Sequence, residues 1–402
     1  MNSTRLFLLG MLCLLLTACV SQSIKSTSVP PIQTPSAMVP EALLLDVAIV
    51  IFEPGLDDYD DDEQVYPEVR KAESRFMPLQ LAEAMQGSGA WGAVRVVPND
   101  SQITDLVVRG KIVHSDGEQL QLEIVATDSR GQVWLDKTYK GRASRYAYQP
   151  STRNPYDPFQ AVYHTIANDL LTYSESLSVA DLRAIRAVTE LRFAQAFSPD
   201  AFTGYLEKSR KGEYRIRRLP ADGDPMMTRV RQIRERDHVY VDTLQGYYTN
   251  FDLLMSSPYQ EWRRNSYYAA LAAQELQAES TRRLIAGGVA ILAGLAAATT
   301  GDSAATRAAG QIGVLGGGYL LKSGLEKRNE AQFHVAELEE LGASLEAEVS
   351  PQVIELEDQT VTLSGNVEQQ YGQWRELLAD IYRAEIGELA SPEESPNSAD
   401  TL

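Results

Sequence analysis

The densest group of side chains able to do chemistry is Asp57-Asp58-Tyr59-Asp60-Asp61-Asp62-Glu63. Clustered carboxylates suit a hard cation such as calcium. The EF-hand pattern fails here. Counted from Asp58, position six is Glu63 rather than Gly, and position twelve is Val69 rather than Glu. A solvated acidic loop is the better reading, and no metal site is expected. The four histidines, His114, His164, His238 and His334, fall on different segments, and none has the spacing of H-E-x-x-H. His238 follows Asp237, but such a pair is commonplace in a charged helix. There is no G-x-S-x-G elbow, phosphate-binding loop or Cys–His pair. Catalysis, a cofactor and a small-molecule substrate are therefore not expected. Two broader surfaces remain. Residues 207–236 hold Lys208, Arg210, Lys211, Arg215, Arg217, Arg218, Arg229, Arg231, Arg234 and Arg236. They suit anionic lipid headgroups or an acidic partner, or else pair internally. Tyr247, Tyr248, Tyr259, Tyr267, Tyr268 and Trp262 suit a sugar- or partner-binding surface, or a helical core.

The chain has two cysteines, Cys13 and Cys19. Arg5 precedes an apolar run from Leu6 to Leu16, too short for a membrane span and arranged as a secretory signal. The run ends in Leu16-Thr17-Ala18-Cys19, which resembles the lipobox of bacterial lipoproteins. That resemblance implies removal of residues 1–18 and acylation of Cys19, including a palmitate-type chain. Val20, where inner-membrane lipoproteins tend to carry Asp, implies the outer membrane, with the protein on its periplasmic face. Several acyl chains at one site give stable anchoring. The remaining chain would then hold no disulfide, so its stability must come from burial. The whole chain carries a net charge of −18, and removing Arg5 makes the remainder more negative. Nucleic acid is an unsuitable partner for such a chain.

The elements that would position these residues follow in order. Residues 19–40, with their prolines, lack an apolar period and read as a disordered, lipidated tether. Residues 41–175 read as an α/β module. The run Leu43–Phe52 fits a buried strand. Glu68–Gln86 fits a helix interrupted at Pro78. Asp105–His114, Gln119–Thr127 and Gln132–Lys140 fit three hairpin-connected strands, with Leu120, Leu122, Ile124 and Ala126 alternating. Phe159, Val162, Ile166 and Leu170 mark a closing helix. The expected order is β-α-(β)-β-β-β-α, with helices on one face of a mostly antiparallel sheet.

Within this module, Asp105–Ile112, Leu120–Asp128 and Gly131–Trp134 resemble a pattern in periplasmic envelope proteins. These include the curli secretion lipoprotein CsgG, the TolB amino-terminal domain and lipoprotein activators of peptidoglycan synthases. The resemblance spans about a quarter of the chain and implies an envelope assembly or docking module. It carries over no functional residue.

The middle of the chain is helical. Ser178 with Asp181 forms a capping box ahead of a connector spanning 176–223. Ser198-Pro199 and Asp224-Pro225 each open a helix. From Met226 the apolar steps run through Val230, Ile233, Tyr240, Leu244, Tyr247, Phe251 and Leu254, interrupted by Asp237, as in a heptad seam. Ser256-Ser257-Pro258 is expected to break that helix. A second helix then runs from Tyr259 to about Thr299, turns at Thr300–Ser303, and a third returns through Ile312 to Leu345. Residues 224–349 thus read as long helical hairpins. Residues 350–390 read as a small strand–helix unit, and 391–402 as a disordered tail.

The tip of the hairpin, 284–321, is the most unusual composition. Leu284–Thr300 and Ala308–Leu321 contain no charged residue. Glycines fall at Gly287, Gly288, Gly294, Gly310, Gly313, Gly316, Gly317 and Gly318. At about 1 kcal/mol each relative to Ala in an exposed helix, they would cost on the order of 8 kcal/mol unless close packing offsets it. The segment resembles the glycine-zipper segments of some bacterial envelope proteins. It reads as a contact surface for a membrane or another copy, carried by Gly287, Gly288, Gly294, Gly310, Gly313 and Gly317, or as a hairpin packed within the same chain. Each apolar run is shorter than the usual membrane span of about 20 residues.

The expectation is an α+β protein. It has an amino-terminal, mostly antiparallel sheet with covering helices, then a long antiparallel helical stalk, then the small carboxy-terminal unit. Its expected role is structural or assembly-related within an envelope complex. Its expected partners are membrane lipid through Cys19 and further copies or envelope proteins. A membrane-inserting part of a pore or secretion channel is the first alternative, and a cell-envelope enzyme the second.

Overall fold

The computed structural model describes residues 21–25, 29–57, 65–148, 157–297, 352–355 and 360–390. The acidic cluster from Asp58, the turn at Thr300–Ser303, the returning third helix and the tail after 390 lie outside the described residues, as do the proposed signal segment and Cys19.

The class is α+β, as the sequence implies. A six-stranded sheet is built from β1 (Ser21–Lys25), β2 (Val47–Val50), β3 (Val94–Val97), β4 (Leu106–Ser115), β5 (Gln119–Asp128) and β6 (Val133–Arg142), in the order β1-β6-β5-β4-β2-β3. Its long hairpins are where the alternating segments place them. Leu120, Leu122, Ile124 and Ala126 are buried on one face of β5. They join Leu106, Val108 and Ile112 of β4 in one core with two covering helices, α1 (Pro67–Gly87) and α2 (Gln160–Glu175). The pairing is mixed rather than mostly antiparallel. β4–β5 and β5–β6 are antiparallel, whereas β1–β6, β2–β3 and β2–β4 are parallel. The near-continuous apolar run of β2 reports burial but not strand direction. The α1 crossover from β2 to β3 makes that pair parallel.

Three expectations are corrected. The first concerns the tether. β1 lies along the edge of β6, from Ser21 opposite Thr138 to Lys25 opposite Arg142. Downstream, the Pro-rich stretch is tied to α2. His164 Nδ1 lies 2.7 Å from the Pro30 carbonyl, and Asn168 donates to the Pro31 carbonyl at 3.0 Å. The Gln33 and Ser36 N–H groups donate to Asn168 and Glu175. Proline removes donors but leaves carbonyl acceptors, and α2 supplies the matching side chains.

Second, α1 passes through Pro78 without interruption. Proline cannot donate to the Ser74 carbonyl, and the Phe52 N–H does so instead at 2.9 Å. The lost helical bond becomes a tie from helix to sheet.

Third, Ser256-Ser257-Pro258 does not break the long helix. A single helix α5 runs from Pro225 to Ala297. Leu254, whose carbonyl Pro258 leaves without its helical donor, is exposed to solvent, where water can meet it. The seam from Met226 and the segment expected as a second helix therefore belong to one helix and do not face each other. Instead α5 packs on α1, on β3, on α3 (Val179–Phe197) and on α6 (Val367–Ala390).

The remaining elements follow their local signals. Ser178 Oγ accepts the Asp181 N–H, and the Asp181 carboxylate accepts the Ser178 N–H, closing the box that starts α3. Pro199 opens the single turn α4 (Pro199–Phe202). A short hairpin, β7 (Leu206–Lys208) with β8 (Tyr214–Ile216), precedes α5. β9 (Gln352–Glu355) and β10 (Thr360–Leu363) pair ahead of α6.

Candidate functional site

The chemistry-bearing residues gather along the first forty residues of α5, where it is rooted in the sheet module. Asp224 caps the helix, its carboxylate accepting from the N–H groups of Met226 and Met227 at 2.9 and 3.2 Å. Arg231 then pairs with Glu190 of α3.

Asp237, the polar break in the apolar seam, is buried at 1 % exposure. It accepts from Trp374 Nε1 at 3.2 Å, and Arg375 lies 3.5 Å away. Tyr240 stacks on Trp374, centroids 4.6 Å apart. Burial raises the Asp237 pKa, while Arg375, the Trp374 hydrogen bond and Arg234 oppose it. The odd residue in the seam is thus the docking point for α6. Its neighbour His238 is pushed down to about 4, by burial first and then by Arg234 and Arg95.

Further along, α5 closes the open edge of the sheet. Arg95 of β3 makes a two-pronged pair with Asp242, at 2.5 and 2.9 Å. The Gln245 amide accepts from the Val96 N–H and donates to the Val96 carbonyl, both at 2.9 Å. A single side chain therefore satisfies both backbone groups that an edge strand would leave open. Gln80 donates to Asp252 at 2.8 Å.

The deepest ties come last. Glu73 of α1 is wholly enclosed. Its Oε1 accepts from Ser115 Oγ and Tyr259 Oη, both at 2.6 Å, and its Oε2 lies 3.3 Å from Arg70 Nε. Burial raises its pKa against the opposing pull of Arg70, Ser115, Tyr259 and Arg263. Arg263 is fully buried, paired with Asp157 and lying 4.2 Å over the Tyr259 ring. Burial works against its charge, but Asp157, Tyr259 and Tyr148 together outweigh burial and raise its pKa. At Gly117 the two backbones nearly touch. A Cβ there would lie 1.9 Å from the Arg263 carbonyl oxygen, and the Gly117 N–H instead donates to Ser266 Oγ.

A cleft of about 570 Å³ opens between α1, α2 and α5, lined by Gln80, Glu83, Asp157, Gln160, His164 and Gln260. Two of its titratable groups, Asp157 and His164, are already engaged. Asp157 holds Arg263, and the two ring nitrogens of His164 meet Pro30 and Gln160. Among the described residues, no group of three His, Cys, Asp or Glu is placed to hold a metal ion, and no helix is long and apolar enough to cross a membrane. His114 pairs with Asp116 at 3.1 Å.

The aromatic stripe resolves into core. Tyr248, Tyr259, Trp262 and Tyr267 are buried, and Tyr268 is exposed. The basic segment divides in two. Arg231 is paired, whereas Lys208, Arg210, Lys211, Arg215, Arg217 and Arg218 stand exposed on and beside the β7–β8 hairpin. Gly287, Gly288 and Gly294 fall within α5, while Gly310, Gly313 and Gly317 lie outside the described residues. The root itself escaped sequence reasoning. Its ties join positions 106 to 186 residues apart, such as Asp157 with Arg263 and Glu73 with Tyr259, and Asp237 was its one local signal.

No family model, curated protein or solved structure matches the chain.

Proposed function

We propose that this chain is a non-enzymatic lipoprotein of the outer membrane, facing the periplasm. In this reading it has a structural or assembly role in an envelope complex and associates with further copies through the Gly-rich segment 284–321. The observation that carries the reading is the rooting of α5. Polar ties at Asp237, Asp242, Gln245, Asp252, Tyr259, Arg263 and Ser266 fix one stretch of the helix to the sheet module. The same helix continues to Ala297, and its last part, from Leu284, is uncharged and rich in Gly and Ala. A helix held so firmly at one end suits a part that positions a contact surface at a fixed place. Small-residue faces favour close helix contact, and the lipobox-like Leu16–Cys19 supplies the membrane attachment. The sealed ion pairs of the root favour scaffolding over catalysis.

The test is crosslinking and co-purification from native membranes, comparing the whole chain with a form lacking residues 284–321. Homotypic crosslinks and the co-purifying envelope partner are expected to disappear with the deletion. Unchanged assembly would overturn the reading.

A further inference from the structure

The β7–β8 hairpin and its flanks, 205–219, hold six basic residues against two acidic ones, Glu207 and Glu213, in a chain whose net charge is −18. Lys208, Arg210, Lys211, Arg215, Arg217 and Arg218 are all exposed. Leu206 is buried, and Tyr214 and Ile216 pack against the core, so the hairpin is fixed while its charges face outward. Arg218 covers the Tyr205 ring at 4.1 Å, and the Arg217 N–H donates to the Tyr205 carbonyl.

The hairpin sits at a defined end of the sheet. The Tyr214 N–H donates to the Arg130 carbonyl at 2.7 Å, in the turn joining β5 to β6. A Cβ on Gly131 would lie 2.9 Å from the Gly212 carbonyl oxygen, so turn and hairpin are in backbone contact. The carboxylates of Asp128 and Asp181 at this end are both paired with Arg130. Two exposed apolar residues belong to the same elements, Val133 at 54 % and Leu219 at 63 %.

β1 starts towards this same end. It runs parallel to β6 with Ser21 opposite Thr138, and β6 itself begins at Val133. Thr138 is thus about 17 Å of strand from the turn that carries the hairpin. Cys19 is two residues ahead of Ser21, a reach of about 7 Å at full extension. The strand therefore leaves little slack between the proposed anchor and the basic hairpin.

We propose that the β7–β8 hairpin is a docking surface for anionic phospholipid headgroups, lying against the membrane to which Cys19 is attached. The choice of a membrane over another polyanion rests on the lipoprotein reading. Fixed cations held near a charged leaflet are attracted within a Debye length, about 8 Å at physiological salt, while the acidic surface farther away is screened. An acyl anchor combined with a basic patch is a two-signal attachment that also sets orientation.

The test uses the mature chain, residues 19–402, carrying Cys19→Ser, sedimented with phosphatidylcholine vesicles that contain or lack about 30 mol % phosphatidylglycerol. Binding to the anionic vesicles is expected to be at least about ten-fold stronger and to fall steeply with added salt. Joint replacement K208Q, R210Q, K211Q, R215Q and R217Q should remove the difference at an unchanged circular dichroism spectrum. Glu207→Gln should strengthen binding. Equal binding to both vesicles, or undiminished binding by the five-fold variant, would overturn the proposal. So would hairpin-dependent capture of polyglutamate without vesicle binding, which would mark a protein partner instead. Palmitate labelling of the wild-type chain tests the anchor separately. Vesicle binding without labelling sinks the lipoprotein reading and leaves the hairpin's headgroup affinity standing.

Discussion

Arg263 and Asp157 form a pair with almost no access to water, at 0 % and 6 % side-chain exposure. Each charge is tolerated only because the other is there. Removing one partner leaves a buried charge uncompensated, at a cost of about 3–5 kcal/mol. Asp157→Asn should therefore lower unfolding free energy by that order in urea titrations. Asp157→Leu combined with Arg263→Met should recover part of the loss, and strict additivity of the two changes would contradict a coupled pair. His238 makes a second prediction. Its folded pKa, about 4, lies below the ordinary 6.5, so the stability it contributes is full above pH 6.5 and is lost as pH falls towards 4. Glu73, Asp105 and Asp237 act with the opposite sign. Burial raises their pKa values, so their contribution is present at low pH and lost as pH rises through those raised values. His238→Gln should thus flatten the fall in melting temperature between pH 6.5 and 4, by an amount equivalent to at most about 3 kcal/mol. An identical acid profile in the variant would refute the assignment.

At the scale of elements, the contact between α5 and the sheet depends on one missing side chain and one amide. Gly117→Ala would drive a methyl group into the Arg263 carbonyl and the Tyr267 backbone nitrogen, so the helix must shift. The expected cost is about 1–3 kcal/mol or more, with Tyr267 becoming more accessible to solvent quenchers; an unchanged melting temperature would contradict the close approach. Gln245→Leu removes both hydrogen bonds to Val96 and should cost about 1–3 kcal/mol. It should also promote edge-to-edge association visible by light scattering, because β3 regains an open edge. Elements governed by short-range rules were legible in the sequence. The hairpin strands β4 to β6 follow from alternation, α3 from its capping box, and α2 from the spacing of Phe159, Val162, Ile166 and Leu170. What could not be read depends on distant partners. Pro78 and Pro258 are ordinary breakers by local rules, yet Phe52 takes the carbonyl that Pro78 abandons, and Leu254 meets solvent beside the other. Ser21–Lys25 has no alternation of its own and becomes a strand because β6 offers an unpaired edge. Asp237 was visible as an interruption, but its partners Trp374 and Arg375 lie more than 130 residues away.

At the scale of the whole molecule, the root of α5 joins the α+β body through two buried clusters, the smaller one packing Phe251, Met255, Tyr259 and Trp262 on Val69, Ala72 and Phe76 of α1. Residues of α1, the sheet, α3, α5 and α6 share the larger cluster. That cluster includes Val230, Ile233, Leu244 and Tyr248 of α5. If 284–321 is the contact surface proposed above, its deletion should leave the body's unfolding transition within a few degrees of wild type while abolishing self-association; a large fall in melting temperature would show that the segment belongs to the core. The direction of β1 adds a mechanical property. Its five residues run along the sheet edge parallel to β6, with the chain's upstream end leaving at Ser21. A pull on that end acts along the strand axis, so the ladder bonds to β6 are loaded together in shear instead of being peeled one after another. A load applied at that end would then be borne by the sheet as a unit, and the strand would resist sudden force better than the same ladder bonds broken one at a time.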